Sequence, residues 1–336
     1  MVAAGDDEQA GGNEPAGRVA GTQAAPFGQR LAQRVASRQS QVVLGLDPDP
    51  RRLWPAEASP PPTPERSAEE HGPAAVAAAA VTAHCCAVID AAGVAAVAIK
   101  PQLACFERLG ASGWAALSVV CAHARAAGLL VLADGKRGDI DVSATAYAQA
   151  LLTATPTPAG PVEGLGADAI TANPYLGADT LAPLVQAARE RGAGIFVLVR
   201  TSNPGAADLQ DLPLAAGGTV WEHVAGLVTA LGAPGAPGGE GPPGLADVGA
   251  VVGATAPQHL ARMRELMPRA VFLLPGVGAQ GGRVEELAPA FAPGRAAGLV
   301  TASRAIVSAH EHAGGEPAHA ARAEAERLRA AAWDLT

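Results

Sequence analysis

The chain has 336 residues, 49% of them hydrophobic, enough to build one large core or two average ones without help from disulfides or metal. Its 24 basic and 32 acidic residues leave a formal charge of -8, which excludes a general nucleic-acid surface, since such surfaces are basic. An anionic ligand must then be gripped by a local positive site.

No run of about 18 uninterrupted apolar residues occurs, and the stretch from Ala74 to Ala83 is too short and too weakly hydrophobic, so no membrane span is expected. Met1 to Glu8 lacks a basic region followed by an apolar core, so a secretory signal is not expected and the cytoplasm is the expected compartment. Four cysteines, Cys85, Cys86, Cys105 and Cys121, show no CxxC spacing and are read as small reduced hydrophobes.

In chain order, residues 1–24 are rich in Ala, Gly and small polar residues without periodicity and read as a disordered tail. Phe27, Leu31 and Val35 recur at four-residue spacing and predict one amphipathic helix over 27–37. Eight short apolar runs follow as candidate strands: Val42 to Leu46, Val94 to Ile99, Leu129 to Ala133, Ala167 to Thr171, Gly194 to Val199, Val248 to Val252, Val271 to Leu274 and Ala297 to Thr301. Segments of helical composition separate them, near 73–92, 111–127, 142–153, 178–191, 217–232, 256–267 and 283–291, with a last one near 317–333. Strict alternation predicts an α/β fold with a parallel sheet, and eight units match a closed (β/α)8 TIM barrel with an extra N-terminal helix. An open doubly wound sheet is the competitor, because periodicity does not distinguish closure from an open edge. Pro/Gly-rich stretches near 55–73, 153–164 and 233–244 read as loop insertions into a single barrel domain over 25–336.

Polar residues gather where the predicted strands end, the face on which barrel enzymes build their sites. The first strand ends at Asp47, the second at Lys100, and the third runs into Asp134-Gly-Lys136-Arg-Gly-Asp139-Ile140. Side chains two apart on an extended segment share a face, so Asp134 and Lys136 should point the same way. The fourth strand leads to Asn173, the fifth to Ser202 and Asn203, the seventh to Pro275 and a glycine-rich loop, and the eighth to Arg304. Taken singly, Asp47 before Pro48 also fits a turn, Lys100 a solvated strand end, and Asp134 with Lys136 a structural ion pair. Their shared position on one barrel face favours chemistry.

Gly276-Val-Gly-Ala-Gln280-Gly formally matches a dinucleotide fingerprint, yet it follows the seventh strand and no strand-end acid lies about 20 residues later. A phosphate loop is the better reading, with Arg304 as its cation. His310-Glu-His312 lacks the spacing of a metal pair, and His84 reads as structural, so no metal site is expected.

Seven ordered motifs between Phe27 and Ile306 resemble the orotidine 5'-phosphate decarboxylases, specifically their longer bacterial subgroup. They are Gly45-Leu-Asp47-Pro48, Ile99-Lys100-Pro-Gln102, the Asp134-to-Ile140 segment, Thr171-Ala-Asn173-Pro-Tyr-Leu-Gly177, Thr201-Ser-Asn203-Pro-Gly205, Pro275-Gly-Val-Gly-Ala-Gln280-Gly-Gly and Ser303-Arg-Ala-Ile306. The resemblance implies decarboxylation of orotidine 5'-phosphate to uridine 5'-phosphate without metal or organic cofactor, in a homodimer with shared active sites. It implies a charge network of Lys100, Asp134, Lys136 and Asp139, with Asp139 given to the partner's site and Ile140 and Ser143 among the substrate contacts. It implies further that Asp47 and Lys100 meet the ribose, that Gln280 and Arg304 meet the phosphate, and that Asn173, Ser202, Asn203 and Pro275 complete the pocket. The sequence departs from the family at Ser143, where threonine is usual, and at Asp141-Val142, where a small Gly-Ser pair is usual. Two alternatives stay open: a Mg²⁺-dependent phosphosugar lyase of the hexulose-phosphate synthase kind, and a non-catalytic nucleotide-binding barrel.

Overall fold

The structure, a computed structural model, describes residues 25–55, 68–233 and 244–336. The expected tail over 1–24 and most of the expected insertions near 55–73 and 233–244 lie outside the described residues. The strands are β1 (Val42–Leu46), β2 (Ala98–Pro101), β3 (Leu130–Arg137), a short pair β4 (Ala154–Thr155) and β5 (Val162–Glu163), then β6 (Ala169–Ala172), β7 (Gly194–Arg200), β8 (Val248–Val252), β9 (Phe272–Pro275) and β10 (Gly298–Ala302). All but β4 and β5 close into one barrel in the order β1-β10-β9-β8-β7-β6-β3-β2, with every pairing parallel. The TIM barrel is therefore closed, and the open-sheet alternative falls. β4 and β5 form an antiparallel ribbon within the Pro/Gly-rich stretch at 153–164.

The helices are α1 (Phe27–Arg38), α2 (Ala68–Ala92), α3 (Leu103–Glu107), α4 (Gly110–Ala126), α5 (Asp141–Leu151), α6 (Ala178–Glu190), α7 (Val220–Leu231), α8 (Leu260–Leu266), α9 (Arg304–Val307), α10 (His310–Ala313) and α11 (Pro317–Asp334). Two buried layers result. Leu31 and Val35 of α1 join Val43, Leu132, Phe196, Val251 and Leu273 inside the barrel, while Val42, Leu44, Ile99, Val131 and Ile170 pack outward against the helices. This is the two-residue alternation of a strand buried on both faces.

α1 buries Phe27, Leu31 and Val35, as its spacing predicted. Phe27 meets Phe196 of β7 edge to face, ring centroids 5.8 Å apart, and a Cβ on Gly194 would collide with the Phe27 ring. The helix thus plugs the N-terminal end of the barrel with aromatic and aliphatic surface, each such side chain contributing about 1.5–3 kcal/mol by burial.

Three local expectations change. The second strand starts at Ala98 rather than Val94, because Gly93–Ala95 form a 3₁₀ turn and Val94 is exposed; an apolar run does not by itself locate the turn inside it. The predicted helix over 283–291 is replaced by 3₁₀ turns at Val284–Glu286 and Ala288–Phe291, since Pro289 lacks the amide hydrogen an α-helix needs. The stretch containing Ala74 to Ala83 belongs to a longer apolar segment, Gly72–Ala95, which is long and apolar enough by length and composition to cross a membrane. Here Val81, Cys85, Val88 and Ile89 on its inner face pack into the outer core, so the barrel accounts for that apolarity. Cys85 and Cys121 are buried, Cys86 and Cys105 half-buried, all four are free, and burial pushes the Cys121 thiol up to about 12.

Candidate active site

The third strand does not end at Ala133. β3 continues through the charged motif to Arg137, but out of register: Ala133 lies opposite Ile170 and Arg137 opposite Ala172, so β3 takes four steps against two on β6. The excess is absorbed in a bulge at which Lys136 adopts a left-handed φ of 49°. For a non-glycine residue this costs of order 1–2 kcal/mol, so neighbouring contacts must hold it. Asp134 and Lys136 do meet, but the bulge brings them together rather than simple strand alternation.

Asp134 is clamped from both sides. Lys100, from β2, donates to its Oδ2 at 2.6 Å and Lys136 to its Oδ1 at 2.7 Å. Thr171, on β6, donates to Oδ1 at 2.8 Å and accepts the Lys136 backbone N–H at 2.9 Å. Burial alone would raise the Asp134 pKa, but the two ammonium groups outweigh it and hold the carboxyl at about 2. The Lys100 side chain is 9% exposed and that of Lys136 42%, so Lys136 is the more accessible of the two ammonium groups.

These groups stand in a cavity of about 510 Å³ at the C-terminal end of the barrel. It brings together Asp47, Lys100, Asp134, Lys136, Ser202, Asn203, Pro275, Gln280 and Arg304, nine of the thirteen candidates. Gln102, Thr171, Thr201, Gln210 and Ser303 also line it. None of these five was among the thirteen candidates, although all but Gln210 lie inside a recognised motif; their hydroxyls and amides carry no charge to mark them. Leu198, Val251 and Leu273, from the interior core, form an apolar part of the lining.

Close backbone approach shapes the walls. A Cβ at Gly45 would lie 2.7 Å from the Ser303 side chain, so β1 must carry glycine there for the β10 end to pack. The glycine loop turns through φ values of 103° at Gly276, 74° at Gly278 and 89° at Gly281, tied by Gly281 N–H to Gly278 O at 2.8 Å. It places Gln280 in the lining of the cavity that Arg304 also lines. Thr201 is held by Gln210, whose Oε1 accepts the Thr201 N–H at 2.8 Å.

The remaining four candidates lie outside the cavity lining. Asp139 is half-buried and accepts the Ile140 N–H at 2.8 Å; Ile140 and Ser143 are exposed. Asn173 accepts the Tyr175 N–H at 3.0 Å in a local turn. The two loops adjoin, since Asn173 N–H donates to Arg137 O at 2.8 Å, and they expose Ile140, Val142, Tyr175 and Leu176. Asp141 has a left-handed φ of 42°, one of the conformations Asp tolerates better than most residues. Arg137 turns away to pair with Glu107 and lies over the Tyr147 ring, 5.4 Å from its centroid.

Behind the cavity, His84 is buried and its Nδ1 accepts the Trp54 N–H at 3.1 Å, while the Trp54 indole donates to Val307 O at 2.9 Å. Burial, with His310 nearby, lowers its pKa to about 4, so it is neutral and ties the loop after β1 to α2, while the Trp54 indole ties that loop to α9. Glu311 of the His-Glu-His triplet accepts from Arg52 at 2.9 Å. Among the described residues no group of three or more His, Cys, Asp or Glu could hold a metal ion.

A barrel whose C-terminal mouth holds one carboxylate between two ammonium groups, beside a glycine loop and an arginine, defines a (β/α)8 enzyme that works by charge. Residues 40–322 match the family described as orotidine 5'-phosphate decarboxylase / HUMPS. The chain is 42% identical over 286 residues to an orotidine 5'-phosphate decarboxylase of Rhodopirellula baltica, covering 85% of this chain and 89% of that one. It is 43% identical to that of Deinococcus radiodurans over 90% of this chain and 95% of that one. Among solved structures, a putative orotidine 5'-phosphate decarboxylase from Streptomyces avermitilis superposes with a TM-score of 0.71 at 34% identity, covering 94% of this chain and 99% of that chain. The chain belongs to the orotidine 5'-phosphate decarboxylase family.

Proposed function

We propose that this protein decarboxylates orotidine 5'-phosphate to uridine 5'-phosphate and CO₂, the last step of de novo pyrimidine nucleotide synthesis. The observation that carries the assignment of roles is Asp134 held ionised between Lys100 and Lys136, with the Lys136 ammonium open to the cavity.

The bond from the pyrimidine ring to the carboxylate breaks heterolytically, CO₂ leaves, and the electron pair stays on the ring carbon. The Lys136 ammonium stabilises that charge and then transfers its proton to the carbon, giving the product; solvent restores the proton. At about 4 Å and an effective dielectric near 20 a unit charge pair is worth about 4 kcal/mol, roughly a thousandfold in rate if realised only in the transition state. Asp134 keeps Lys136 charged and aimed, and its own carboxylate beside that of the substrate disfavours the ground state. Preorganised charge is the attribution that the geometry supports, because Lys100 and Lys136 are already clamped on Asp134.

Asp47 and Lys100 bind the ribose, while Gln280, Arg304 and the glycine-loop amides take the phosphate, with Ser202, Asn203 and Pro275 completing the pocket. Binding of that remote phosphate positions the ring over Lys136. Asp139, Ile140 and Ser143 serve the partner's cavity in a homodimer: they stand on the rim, outside their own cavity, beside exposed Val142, Tyr175 and Leu176. Asn173 shapes that rim through its turn. Residues 25–336 act as one catalytic domain.

The test follows the ultraviolet absorbance of orotidine 5'-phosphate with purified protein, with and without chelator. Turnover unaffected by chelator is expected. Activity that collapses with chelator would revive the Mg²⁺-dependent phosphosugar lyase, and tight uridine 5'-phosphate binding without CO₂ release the non-catalytic barrel.

A further inference from the structure

The bulge in β3 leaves Lys136 in an unfavourable backbone conformation, and β6 has one residue facing the excess chain: Thr171, between Ile170 and Ala172. Its hydroxyl is buried and makes two contacts of fixed polarity. A carboxylate only accepts and a backbone amide only donates. The Thr171 hydroxyl hydrogen must therefore point to Asp134 Oδ1, at 2.8 Å, and a lone pair must receive the Lys136 N–H, at 2.9 Å. One hydroxyl thus binds the backbone of the lysine and the side chain of its aspartate partner together. Without it the Lys136 amide would lose its acceptor, and Asp134 Oδ1 would keep only the Lys136 ammonium.

We infer that Thr171 is a positioning residue for the decarboxylation, whose hydroxyl locks the left-handed turn at Lys136 to the carboxylate of Asp134 and so sets where the ammonium stands. The inference rests on the proposed function for the reaction, but concerns a residue to which no role has been given there. Thr171 acts through Lys136 and Asp134, so it governs the chemical step and not the grip on phosphate or ribose, which come from Gln280, Arg304, Asp47 and Lys100.

Two substitutions separate hydroxyl from shape. Thr171→Val keeps both branches of the side chain and removes the hydroxyl; Thr171→Ser keeps the hydroxyl and removes a methyl group. The expected result is that Thr171→Val lowers kcat about 10- to 100-fold, the scale of a misplaced catalytic group, with KM and uridine 5'-phosphate affinity changed less than about threefold. Thr171→Ser should retain kcat within about threefold. If Thr171→Val fails to fold by circular dichroism, Thr171→Ala is measured for the same kcat and KM split. Wild-type kcat in the folded hydroxyl-free variant, a defect in Thr171→Ser with none in Thr171→Val, or a loss confined to KM would each overturn the inference. An inactive wild type would break the functional reading, whereas an active wild type with an equally active Thr171→Val breaks only this one.

Discussion

The two ends of one barrel follow opposite rules. At the N-terminal end, α1 lays Phe27, Leu31 and Val35 over the interior, and Phe27 packs on Phe196. At the C-terminal end the same strands open into a charged cavity with a bulged strand and a left-handed lysine. Apolar burial is non-directional and stabilises wherever water is excluded, while buried charge is favourable only when each group has partners in the right place. The closed end therefore supplies stability, and the open end spends some of it on geometry.

The most severe break in that division is Lys136→Ala. It should lower kcat by at least about a thousandfold, read by orotidine 5'-phosphate absorbance, while Tm moves by no more than about 4 °C. Near-normal turnover would sink the role of Lys136. Mixing Asp139→Asn with Lys136→Ala subunits sharpens the result: each mixed dimer holds one site free of both changes if Asp139 serves its partner, so activity should partly return. No recovery despite proven mixing would assign Asp139 to its own subunit.

The opposite phenotype belongs to Phe27→Ala. Loss of a buried aromatic should cost about 3–5 kcal/mol in denaturant unfolding. Activity per folded molecule should stay within about twofold, because the plug and the cavity lie at opposite ends of the barrel. A kcat loss without destabilisation would show that the two ends are coupled.

The smallest effect concerns acid. His84 has a folded pKa of about 4, below the ordinary 6.5, so the unfolded chain binds the proton first and its contribution is present above pH 6.5 and lost as pH falls towards 4. Asp134, at about 2 against 3.8, adds a second loss from about pH 4 downwards. His84→Leu should flatten the dependence of unfolding free energy between pH 6.5 and 4, a change of about 3 kcal/mol, leaving the lower window in place. An unchanged slope in the upper window would mean that another group governs it.

The plugged end was legible almost residue by residue, since the spacing of Phe27, Leu31 and Val35 is a local property of one helix. The open end was legible as a set of charges: nine of the thirteen candidates line one cavity. Asp139, Ile140, Ser143 and Asn173 sit outside it, because the turns after β3 and β6 and the first turn of α5 carry them past its lining. Thr171 escaped notice as a site residue, since a neutral hydroxyl inside an apolar run looks like any strand residue until its neighbours are known.

By itself the chain determined the alternation of strand and helix, the residues that stand where strands end, and the family to which they belong, all carried by local pattern and ordered motifs. Tertiary structure alone decided that the sheet closes, that β3 bulges by two residues against β6, and that the Thr171 hydroxyl joins Lys136 to Asp134. The reason is physical: periodicity is a property of neighbours along the chain, whereas register and hydrogen-bond partners 35 and 37 residues apart exist only once strands lie side by side.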